Sequence, residues 1–91
     1  KDAAEKRAII LETVARLIRA GENLSPNDRA GNYVIRRLFR TEEISELRMN
    51  REAVGRAMDA LSRDGEIHLE TYENARKTHQ RYALGPGENP A

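Results

Sequence analysis

Apolar side chains recur at helical spacing from the start of the chain, with Ala3, Ile10, Leu11, Val14, Leu17 and Ile18 on one face. Asp2, with Glu5 three positions later, makes an acidic cap, so a first helix is expected from about Ala3 to Ala20 and a stop at Gly21. Ile9 falls on the otherwise polar side, where it is either a small contact with a missing domain or a second copy, or a single exposed isoleucine of no consequence. Residues 21–28, Gly-Glu-Asn-Leu-Ser-Pro-Asn-Asp, are dense in turn formers and read as a connector with room for one short strand at Leu24-Ser25. A second helical pattern spans Tyr33 to Arg40, with Val34, Ile35, Leu38 and Phe39 inward and Tyr33, Arg36, Arg37 and Arg40 outward. Thr41 caps a short turn carrying Ile44 and Leu47.

The clearest helix runs from Arg51 to Asp64 behind the cap Asn50, where Val54, Ala57, Met58 and Leu61 follow the i, i+3, i+4, i+7 rule and Gly65 ends it. The period then changes from helical to two. Ile67, Leu69 and Thr71 alternate with His68, Glu70 and Tyr72, and a second alternating run covers residues 80–84. Pairing Ile67 with Leu84 and Leu69 with Tyr82 places all four on the core face. The same register sets Glu70 opposite Arg81 and leaves residues 74–77, Asn-Ala-Arg-Lys, as the hairpin tip. These elements predict a mainly α chain with a small antiparallel sheet (α+β). One domain is expected over residues 1–84, followed by a flexible tail at 85–91 that holds nothing large to bury.

Ninety-one residues, 38% apolar and 34% charged, leave room for a single core and none for a deep catalytic cleft, so no enzyme is expected. No cysteine is present, which excludes disulfides and thiolate metal sites, and two histidines are too few for a zinc site. No cofactor or small-molecule substrate is expected. No apolar run approaches the roughly 20 residues of a bilayer span, so the reading is a cytoplasmic protein without a membrane partner. Residue 1 is Lys, so the stretch is expected to be a piece of a longer chain. The formal net charge of +1 does not announce nucleic-acid binding, and the case for it rests on where the charges sit.

Helix, short strand, helix, second helix and hairpin is the order of the winged helix-turn-helix family, and Met49 to Ile67 resembles its capped second helix, its leucine, three residues, glycine, any, isoleucine exit and its first wing strand. A finer resemblance covers Leu24 to Leu84 through Ser25-Pro26, residues 30–33 (Ala-Gly-Asn-Tyr), Ala57-Met58 and the hairpin. It is similar to the winged-helix tail of phage and plasmid RecA-like ATPases of the replicative-helicase type. That implies double-stranded DNA as partner, in replication or transcription control, with a parent-protein domain or a homodimer partner beside it. No glycine-rich phosphate loop ending in Lys-Ser or Lys-Thr occurs, so ATPase chemistry does not carry over.

The resemblance would make Asn50, Arg51, Glu52 and Arg56 the readers of base edges. The same face, with Glu52-Arg56 and Asp59-Arg63 at favoured i, i+4 spacing, is also what a self-neutralised solvent surface looks like. Gly55 on its flank costs a helix about 1 kcal/mol relative to alanine and suggests a close approach. Tyr33, Arg36, Arg37 and Arg40 form the least neutralised stretch, since no acid lies between Arg29 and Glu42, and suit phosphate or the acidic surface of a partner. Arg76 and Lys77, with His79 nearby, would hold DNA backbone from the hairpin tip. The alternative is a protein-interaction module of a larger assembly that never touches nucleic acid.

Overall fold

The computed structural model describes residues 2–87. Among them the chain folds as α1 (Ala3–Arg19), α2 (Val34–Phe39), α3 (Glu42–Ser45), α4 (Arg51–Arg63), β1 (Ile67–Asn74) and β2 (Lys77–Leu84). It is an α+β arrangement of four helices and one two-stranded antiparallel sheet. None of the described helices is long and apolar enough to cross a membrane.

Helix ends follow the polar and glycine signals in the sequence. The Asp2 carboxylate accepts from the Glu5 N–H at 2.8 Å, and the Asn50 side-chain oxygen accepts from the Ala53 N–H at 2.8 Å. Both long helices close the same way: Gly21 and Gly65 take φ of 92° and 75°, and the next residue's N–H returns to a carbonyl five positions back, Glu22 to Leu17 and Glu66 to Leu61. That geometry favours glycine, because a Cβ crowds the backbone at positive φ.

The core is aliphatic. Ile10, Val14 and Leu17 of α1 meet Val34, Ile35 and Leu38 of α2, Ile44 of α3, and Val54, Met58 and Leu61 of α4, with Leu24 and Ile67 closing the ends. Two details of α1 depart from its sequence pattern. Ala3 is exposed, whereas Ile9, expected on the polar side, is half-buried against the core. The reason is α3, which lies along α1 and ties Glu43 to Arg16 at 3.0 Å, so α1 has neighbours over a wider arc than one stripe. The contact expected of Ile9 with a further domain is thus made within the chain.

The sheet has the expected register, Ile67 opposite Leu84, Leu69 opposite Tyr82 and Glu70 opposite Arg81. Its turn is tighter than expected, with Ala75 and Arg76 alone between the strands, both at positive φ (54° and 65°). The face assignment holds only at the root. Ile67 is buried and Tyr82 and Leu84 pack on the core, but Leu69, expected beside them, is 44% exposed. The helices reach only the root of the hairpin, and β1 has left them by Leu69. Burial raises the pKa of the Tyr82 hydroxyl, and the charges of Asp59 and Tyr33 push it the same way.

The connector makes no strand at Leu24-Ser25. Ser25 forms a single parallel bridge with Tyr33, and the Leu24 carbonyl accepts from the Tyr82 N–H at 2.9 Å. Beside that bond Arg81 donates to Asn23 at 2.8 Å and to Glu70 at 2.7 Å, and its guanidinium lies 4.6 Å from the centre of the Tyr72 ring. The hairpin root is therefore clamped to the connector. Of the tail expected to be mobile, residues 88–91 lie outside the described residues. Gly85 returns its N–H to the Glu66 carbonyl at 2.8 Å, and its own carbonyl lies 2.9 Å from His68 Nδ1.

Candidate nucleic-acid interface

The residues singled out in the sequence fall into separate groups: the α2 arginines beside the connector, the exposed side of α4, and the hairpin turn. On α2, Arg36, Arg37 and Arg40 line a hollow with Glu22, Asn23 and Leu24. This surface is less free than its sequence suggests. Arg37 donates to both carboxylate oxygens of Glu22, at 2.7 and 2.9 Å. The hydrogen bond holds the Glu22 carboxyl below the usual glutamate range and raises the Arg37 guanidinium further, although burial opposes both shifts. Arg36 turns back on the connector, donating to the carbonyls of Ala30 at 2.9 Å and Asp28 at 3.1 Å, with its guanidinium 5.7 Å from the Tyr33 ring centre. The reading of α2 as the least neutralised stretch is corrected here, because its acid comes from Glu22, outside the stretch and at the start of the connector. Among the described residues Arg40 forms no ion pair and is exposed.

On α4, Arg51, Glu52, Arg56, Asp59 and Arg63 are exposed. Arg56 stands 3.9 Å from Glu52, a loose pair with side chains 71% and 87% exposed, so neither is held. The expected Asp59-Arg63 pair is not formed among the described residues. The Asn50 side-chain oxygen is committed to the cap, which leaves its amide group to face outward. A Cβ placed on Gly55 would meet nothing within 4 Å, so the glycine answers no need inside the chain.

Comparison with known proteins returns no matching family model, no matching curated relative and no matching solved structure.

At the hairpin, Arg76 sits in the turn and Lys77 begins β2, both exposed, and His79 is exposed across from Tyr72 with ring centres 5.5 Å apart. Sequence reasoning missed a further group of cations. Lys6 and Arg7 of α1 face Arg48 and Arg56 across a groove whose walls are α1 and α4. Helical spacing places Lys6 and Arg7 on the flank of α1, but only the packing of α1 on α4 brings them to Arg48.

Proposed function

We propose that this chain is a winged-helix domain that binds double-stranded DNA, with the first turns of α4 in the major groove and the hairpin tip on the phosphate backbone. The observation that carries the reading is the α3, turn, α4, hairpin succession. In it the capped start of α4 exposes Arg51 and Arg56, and a hairpin clamped at its root displays Arg76 and Lys77. A helix start offers unpaired N–H groups and a positive dipole end to phosphate, and arginine reaches base edges with paired donors. Arg40 and the shared charge of Arg37 add backbone contacts at the side. In this reading the setting is the control of replication or transcription.

Two observations favour the second reading, a protein-interaction module: Leu69 is exposed, and two of the arginines are partly neutralised, Arg37 by Glu22 and Arg56 by Glu52. Titration of a labelled duplex at two salt concentrations separates the two. DNA binding must weaken with salt, and replacing Arg76 and Lys77 by alanine should lower the salt slope by up to about 1.8 without changing sequence preference. Arg51→Ala should instead alter that preference. Absence of any salt-dependent binding by the unmodified chain would overturn the DNA reading.

A further inference from the structure

We infer that the groove between the N-terminal half of α1 and α4 docks an acidic, amphipathic segment of another protein. The groove encloses about 520 Å³. Its floor is apolar, made by Met49, Ala53, Ala57 and Ala60, and its rim carries Lys6, Arg7, Arg48 and Arg56. No acidic side chain lines it.

The rim charges are available. Arg7 stands 3.7 Å from Asp64 and Arg56 3.9 Å from Glu52, beyond the 2.7 to 2.9 Å of a charge-assisted hydrogen bond, and both acids are well exposed. Lys6 and Arg48 form no ion pair among the described residues. Arg48 holds φ at 54°, a left-handed backbone that asparagine or glycine would adopt with less strain. Its side chain is exposed and lines the groove.

The floor decides the class of partner. Duplex DNA presents phosphates to a rim of cations and makes no use of the alanine and methionine side chains between them. A protein segment with acidic residues on one side and leucine-like residues on the other uses both features, and the small alanines let its backbone come close. The groove shares Arg56 and Asn50 with the proposed DNA surface, but the inference does not rest on that reading, because it is carried by Lys6, Arg48 and the apolar side chains of the lining, none of which the DNA reading uses.

The test is fluorescence anisotropy with a labelled peptide carrying Glu and Leu at helical spacing, compared with one in which every Leu is replaced by Ser at the same charge. Binding in the micromolar range by the Glu/Leu peptide alone is expected, falling about tenfold when Lys6→Gln is combined with Arg48→Asn, a pair that keeps the left-handed backbone. Ala57→Glu should abolish it by placing a carboxylate in the floor. Equal binding of both peptides would reveal a general polyanion surface and overturn the inference. So would no binding at about 1 mM peptide. If a variant fails to fold, judged by its circular dichroism melt, the contrast between the two peptides on the unmodified chain still decides.

Discussion

Arg37 grips both carboxylate oxygens of Glu22, joining α2 to the start of the connector just beyond α1. The pair fixes how α2 leaves the connector, and it neutralises one of the three arginines of that surface.

Glu22→Gln therefore has two expected effects. The folded carboxyl has a lowered pKa, so the pair stabilises the chain above the ordinary glutamate value of about 4.3, and this contribution is lost as pH falls through the lower folded value. The variant should be less stable at neutral pH and should lose part of the decline in stability below about pH 4.3. Denaturant midpoints measured across that range check this. It should also bind duplex DNA more tightly, with a salt slope steeper by up to about 0.9, since Arg37 is released to phosphate. Unchanged DNA affinity and salt slope would place Arg37 outside the interface.

Leu61→Ala should cost about 2 to 4 kcal/mol, because Leu61 is only 3% exposed and lies where α4 meets the other helices and Ile67. A denaturation midpoint unchanged within error would show that α4 does not pack as described.

Arg76→Gly should stabilise the hairpin. Both turn residues have positive φ, the requirement of a two-residue turn of the primed kind that Asn-Gly satisfies and Ala-Arg does not. Relief of about 1 to 2 kcal/mol of left-handed strain, less the greater unfolded freedom of glycine, leaves a net gain of about 0.5 to 1 kcal/mol. The same change should weaken DNA binding. A rise in midpoint with reduced affinity marks Arg76 as a residue kept for contact at the expense of stability, and unchanged affinity would remove it from the interface.

The parts legible in the sequence are those decided within a few residues or by strict alternation. Asn50 and Gly65 bound α4 by local hydrogen bonding, and the spacing of Ile67, Leu69, Tyr82 and Leu84 admits one register. What was not legible depends on separations that periodicity does not see. Glu22 reaches Arg37 across a connector, Arg36 folds back onto carbonyls that carry no side-chain signal, and Leu69 keeps its alternation after the helices beneath it have ended. Lys6 and Arg7 look like ordinary solvated helix positions until α4 brings Arg48 and Arg56 opposite them.

The clamp of Arg81 on Asn23, Glu70 and Tyr72 makes the hairpin a cantilever. Beyond it the strands run on to the turn with every residue but Tyr72 exposed, an overhang lengthened by about 3.3 Å for each further residue. Deflection of such a beam is governed at its root. A small change of angle where the connector meets β2 sweeps the tip through an arc proportional to the overhang, so the aim of Arg76 and Lys77 is set by residues near Asn23 and Leu24, some fifty positions earlier in the chain. Lengthening or shortening both strands by matched pairs would change the reach of the tip without altering a single charge on it.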